Sequence, residues 1–101
     1  MQHVRVATYK ITNGNFQEIA ETAKIGMLKT FQAKPGFIRY GVADIGDNNL
    51  LSLSLWKTHS DAEASVPAAA SWVRDNIADK VELKSSYVGD LAFIEPVPAT
   101  V

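Results

Sequence analysis

Residues Val4 to Ile11 alternate and are rich in Val, Thr, Tyr and Ile, and they run into the turn formers Thr12-Asn13-Gly14-Asn15, a pattern that predicts a first strand. Phe16, Ile19, Ala20, Ala23, Met27 and Phe31 then recur at helical spacing, with Glu18, Glu21 and Lys24 between them and Asn15 placed to cap the first turn. The helix is expected to reach about Gln32, where Lys34-Pro35-Gly36 ends it. Phe37 to Asp44 and Leu50 to Trp56 read as two strands joined by the turn-rich Ile45-Gly46-Asp47-Asn48-Asn49, and so as an antiparallel hairpin. Thr58 can cap a short helix through Ala64, with Asp61 and Glu63 near its positive end. Pro67 is expected to break that helix, so a second one is read from about Pro67 to Lys80, with Ala69, Ala70, Val73 and Ile77 on one stripe and Trp72 off it. Val81 to Ile94 reads as a long last strand, and Pro96 and Pro98 mark a tail. The order β-α-β-β-α-β predicts an α+β, ferredoxin-like split βαβ: a four-stranded antiparallel sheet with both helices on one face.

Such a sheet leaves its other face bare, which gives the third strand weight. Leu51, Leu53 and Leu55 fall on one side of it and Ser52, Ser54 and Trp56 on the other. If the leucines point away from the helices, the bare face is an apolar patch that a homodimer joined sheet to sheet would cover. If they point inward, Ser52, Ser54 and Trp56 are outside; alternation fixes the two sets but not their direction. The stretch Ala92 to Val101 either pairs within its own chain or reaches across to such a partner.

At 101 residues the chain is read as one domain, and 47% hydrophobic against 21% charged residues is the balance of a chain that folds. Ten Lys+Arg against eleven Asp+Glu give a net charge of -1, which argues against nucleic acid and membrane surfaces as partners. With no cysteine there is no disulfide, thiol catalysis or thiolate metal site. The start Met1-Gln2-His3-Val4-Arg5-Val6 lacks a basic stretch followed by an apolar run, so no signal peptide is read and the expected location is cytoplasmic. No metal site is read either. Asp44 and Asp47 are turn residues, Asp75 and Asp79 have no paired histidine, and the six glycines are too scattered for a phosphate loop.

Lys34-Pro35-Gly36-Phe37-Ile38-Arg39-Tyr40, followed by Leu53-Ser54-Leu55-Trp56-Lys57-Thr58 and then Asp61-Ala62-Glu63-Ala64, resembles the antibiotic-biosynthesis monooxygenase family. The resemblance implies a dimeric α+β barrel, and for one branch a cofactor-free oxygenation of a small aromatic or polyketide-like compound in a pocket between sheet and helices. In that branch the strand-three tryptophan, matched by Trp56, works with an asparagine four residues earlier; Ser52 stands there, a shorter hydroxyl without an amide donor. The branch also places an arginine on the second helix to stabilise oxyanion charge, and Arg74 is the candidate although out of register. The haem-degrading branch needs a histidine on the second helix, where this chain has none; only His3 and His59 exist, at a strand start and a helix start.

Trp56, Ser52 and Arg74 are thus the candidate catalytic residues, with no cofactor or metal implied. Tyr40, Ser54, Trp72 and His59 are the candidate substrate contacts, His59 as a possible base near neutral pH. Each has a plainer reading: core packing for Trp56 and Tyr40, a half-exposed packing role for Trp72, a solvent-facing first-turn residue for His59, and an ion pair for Arg39. The alternative to an enzyme is a non-catalytic dimeric module of the same fold that binds a small hydrophobic ligand or a partner.

Overall fold

The computed structural model describes residues 2–95. Six elements follow in the expected order: β1 (His3–Ile11), α1 (Phe16–Gln32), β2 (Phe37–Gly46), β3 (Asn49–Trp56), α2 (His59–Asn76) and β4 (Val81–Asp90). The sheet order is β2-β3-β1-β4 and every neighbouring pair is antiparallel. This is the ferredoxin-like α+β arrangement, with both helices on one face.

Local chemistry accounts for the element ends. The Asn15 side chain accepts the Glu18 backbone N–H at 3.0 Å and so caps α1, whose inward stripe is Ile19, Ala23, Met27 and Phe31. Gly36 turns the chain from α1 into β2 at a φ of +77°, and a Cβ there would lie 2.0 Å from the Asp61 carboxylate, so both backbone and space demand glycine. Asp47 and Asn48 both take positive φ, which makes a tight two-residue turn and lets β2 and β3 run further than the turn-rich sequence suggests.

Five expectations are corrected. Pro67 does not divide the second helical stretch: α2 is one helix through it. Proline's fixed φ is itself helical, so the interruption is limited to one missing backbone bond and local crowding. Ala62, Ser65 and Ala69 are buried on either side of it and hold both halves against the sheet. The helix also ends at Asn76 rather than Lys80, and Ala70 is exposed. Trp72 packs with both core clusters instead of lying off the inward stripe. Finally, β4 stops at Asp90, and Leu91 to Glu95 continue without strand pairing; Pro96, Pro98 and the rest of the tail lie outside the described residues.

The direction of β3 is now fixed. Leu50, Ser52, Ser54 and Trp56 face the helices, as do Arg5, Ala7, Tyr9 and Ile11 of β1 and Tyr40 and Val42 of β2. Leu51, Leu53 and Leu55 therefore lie on the open face, paired with Thr8, Val6 and Val4, and beyond them on β4 stands Tyr87, 67% exposed. Leu55 is nonetheless buried, at a groove that it forms with Gln2, Ile38, Arg39, Ile94 and Glu95. The remainder of this face is a broad apolar surface crossing three strands.

Candidate functional site

The helix-facing side of the sheet carries more polar groups than a core of this size needs. Arg5 is only 2% exposed, although it is a cation in the central strand. Its Nη2 donates one long bond, 3.4 Å, to the Tyr9 hydroxyl, while Nε and Nη1 have no partner among the described residues. A buried guanidinium with two unused donors is a strained arrangement electrostatically, and it favours any anionic oxygen that can reach it. Ser54 is its ladder neighbour on β3 and is itself buried. Tyr40 completes the group: burial pushes its phenol up from 10.0 to about 12, while a hydrogen bond with Ser52 and the positive charge of Arg5 pull the other way. At neutral pH it keeps its proton and can act only as a hydrogen-bond donor.

Tyr9, Tyr40 and Ser52 open onto a cavity between sheet and helices whose other walls include Ala23, Met27, Trp72 and Ile77. Its free volume is about 20 Å³, room for one water. Tyr40 and Val42 are also walls of an outer groove of about 290 Å³, between α1 and the edge strand β2, bounded by Glu21, Lys24 and Leu28. These two residues thus separate the inner cavity from an approach at the sheet edge. The Trp72 indole closes the top by resting against Gly26 of α1, where a Cβ would come within 2.5 Å of the ring.

The candidates from sequence are therefore divided. Tyr40, Ser52 and Trp72 line the cavity, and Ser54 lies just behind it beside Arg5. Trp56 is fully buried, edge-on to Phe31 and Phe37 with ring centroids 5.3 and 5.4 Å away, and its indole N–H donates to Ser54 Oγ at 2.8 Å. Phe37 and Trp56, from the two motifs that carry the family resemblance, are thus packing partners. Arg74 is 71% exposed in the last turn of α2, bonded at 3.3 Å to Asp75, and is no part of the cavity wall. Arg39 is exposed on the open face. Arg5 and Tyr9 are the polar residues that sequence reasoning passed over; their signal was a shared phase with Ala7 and Ile11 along β1.

His59 belongs to a separate cluster. Its Nδ1 lies 2.9 Å from Asp90 Oδ1 and its Nε2 3.0 Å from Glu63 Oε1, and His3 Nδ1 approaches the same Asp90 oxygen at 2.6 Å. The hydrogen bond to Asp90, with smaller attractions from Asp90 and Glu63, raises the His59 pKa, and the two imidazoles lower that of Asp90.

No family model matches the sequence, and no curated protein matches it. Solved structures do match. SnoaB, a cofactor-independent oxygenase from Streptomyces nogalater, is similar with a TM-score of 0.67 at 13% identity, over 95% of this chain and 98% of that one. HapK from Hahella chejuensis gives 0.69 at 10% identity, over 97% and 100%. A protein from Chloroflexus aurantiacus, provisionally named an antibiotic biosynthesis monooxygenase, gives 0.65 at 12% identity, over 97% and 100%. At these identities the likeness is one of fold, and no helix among the described residues is long and apolar enough to cross a membrane. The chain has the ferredoxin-like α+β fold of the antibiotic-biosynthesis-monooxygenase-like proteins.

Proposed function

We propose that the chain is a cofactor-independent oxygenase acting on a small aromatic or polyketide-like compound, and that Arg5 is the group around which its site is built. The observation that carries this reading is the buried guanidinium with Nε and Nη1 unpartnered, beside a cavity walled by Tyr9, Tyr40 and Ser52. Oxygenation without a cofactor starts when an acidic phenol or enol loses its proton, because the resulting carbanion is electron-rich enough to reduce dioxygen. Converting a ring CH₂ to a carbonyl releases four electrons, and one O₂ takes up four as it yields the carbonyl oxygen and one water. No external reductant is needed. A fixed cation in a dry site favours the anion from the outset, and the Tyr40 phenol donates to the same oxygen. Substrate enters from the β2 edge past Tyr40 and Val42 and displaces Trp72, since the closed cavity holds only about one water.

Ser54, Trp56 and Ser52 take supporting places in this site: the indole holds the Ser54 hydroxyl, and Ser52 shares the cavity wall with Tyr40. Arg74, exposed at the end of α2, and His59, in its own cluster with Asp90, take no part in this site. A second copy covers the open sheet face over Leu51, Leu53 and Val6, giving a homodimer. The fold match to a cofactor-independent oxygenase supports the class of chemistry.

The test is oxygen uptake with hydroxylated anthrone-type phenols. Arg5→Met is expected to lose about 10²- to 10³-fold in rate, the scale of one oxyanion-stabilising donor. Unchanged uptake in a folded Arg5→Met variant would overturn the reading. A non-catalytic binding module is the conclusion if such phenols bind without consuming oxygen.

A further inference from the structure

At the end of the sheet where β1 begins and β4 finishes, three segments distant in sequence bring together nitrogen and carboxylate donors. His3 is paired in the ladders with both Trp56 and Asp90, and α2 begins three residues after Trp56 with His59. One donor atom from each of His3, His59 and Asp90 lies within 4.8 Å of the other two. The rings of His3 and His59 meet edge to face, 87° apart with centroids 6.0 Å apart, so both Nδ1 atoms point at one carboxylate oxygen.

We propose that His3, His59 and Asp90 form a binding site for a late first-row divalent cation of the zinc type, with Glu63 holding His59 in position. Two imidazole nitrogens and one carboxylate oxygen are the donor set that such an ion prefers, and three protein ligands leave a fourth position open. A hard ion such as magnesium or calcium needs more oxygens than are gathered here. The distances fit after a small expansion. Donors about 2.1 Å from a tetrahedral ion stand about 3.4 Å from one another, against 2.6 and 2.9 Å for the two Nδ1–Oδ1 pairs, so the ion enters by spreading each pair less than about 1 Å. His59 and Asp90 are half exposed and have that freedom.

Glu63 supplies an independent indication. It sits one helical turn after His59 with Oε1 3.0 Å from Nε2, so an ion at Nδ1 takes the place of the proton now shared with Asp90 while Glu63 steadies the far side of the ring. A carboxylate bound to the far nitrogen of a histidine is the usual outer support of a metal-ligating imidazole. The carboxylates of Asp90 and Glu63 also balance the charge of a dication. None of these four residues lines the Arg5 cavity, so the site does not depend on the oxygenase reading.

The experiment is calorimetric titration of the chelator-treated full chain with Zn²⁺, together with Co²⁺ absorption to report coordination geometry. One equivalent is expected to bind with micromolar affinity, with Co²⁺ giving the intense visible bands of a four-coordinate site. Glu63→Gln, a conservative change at an exposed position, is expected to weaken binding about 10- to 100-fold. His59→Ala and Asp90→Ala should each remove the stoichiometric site. Absence of stoichiometric binding to the unaltered chain, or wild-type affinity in His59→Ala, overturns the proposal and leaves the trio as a hydrogen-bonded clamp.

Discussion

Replacing Arg5 with methionine is expected to make the protein more stable. Methionine keeps most of the unbranched stem, so packing under the helices changes little, while the guanidinium disappears. Among the described residues Nε and Nη1 are buried without partners. Each unsatisfied buried donor costs about 1–3 kcal/mol, so the pair costs about 2–6 kcal/mol. Against this stands one 3.4 Å bond to the Tyr9 hydroxyl, which at that length contributes no more than about 1.5 kcal/mol. Allowing for partial relaxation of the site, a net gain of about 1–3 kcal/mol follows, or about 4–8 °C in Tm per kcal/mol for a domain of this size. Urea unfolding followed by tryptophan fluorescence measures it, at fixed protein concentration because self-association shifts the midpoint. A midpoint that rises with an unchanged slope supports the account. A loss of more than about 1 kcal/mol would refute it, because the guanidinium would then be well satisfied in the folded state. The same variant is the one expected to lose oxygen uptake, so stability and activity should move in opposite directions.

Other outcomes follow from neighbouring residues. The Tyr40 phenol, held at about 12 by burial against 10.0 unfolded, keeps its proton in the folded chain while the unfolded chain releases it. Stability should therefore fall as pH rises from 10 to 12, by at most about 3 kcal/mol, and Tyr40→Phe should remove the fall in alkaline unfolding curves. Gly26→Ala gains helix propensity but puts a Cβ 2.5 Å from the Trp72 ring, so a net loss of about 1–2 kcal/mol is expected, with a red shift in emission as the indole moves outward. Trp56→Ala should cost about 3–5 kcal/mol, whereas Trp56→Phe should fold, losing the bond to Ser54 and a smaller part of the packing, which makes it the informative variant for uptake assays. Leu53→Glu on the open face should leave the protomer folded and shift native mass spectra from dimer to monomer; a dimer retained in that variant sinks the sheet-to-sheet interface.

Local signals in the sequence were enough for α1, whose cap, stripe and stop all coincide, and for the hairpin, whose turn residues take the positive φ that their type permits. Pro67 misled because the penalty for proline is local whereas the burial of Ala62, Ser65 and Ala69 is tertiary. Alternation along β3 separated leucines from serines but left their direction open, and only the order of strands under the helices decides it. Arg5 escaped notice for a related reason: an arginine in phase with Ala7, Tyr9 and Ile11 looks like an edge residue until β1 is known to be central. Tyr40 and Ser52 meet at one cavity because the β2/β3 register sets their strands side by side, and Trp72 reaches the same cavity from α2, a packing that no local pattern encodes. The meeting of His3, His59 and Asp90 depends on two ladder registers and a helix start, none of which leaves a mark in any short motif.

The central position of β1 also governs how the chain can assemble during synthesis. It precedes the other five elements, yet its partners are residues 49–56 and residues 81–90, so one edge stays unpaired until the hairpin is made and the other until β4 arrives. The β2/β3 hairpin closes across two residues and is ready much earlier, able to serve as the template onto which β1 docks. The last event is the arrival of β4 at the second edge of β1. A nascent or truncated chain lacking β4 exposes an apolar strand, with Val4 and Val6 on one side and Tyr9 on the other, as a ready seed for intermolecular pairing. Chaperone dependence and loss to inclusion bodies should accordingly be set by how promptly residues 81–90 are delivered.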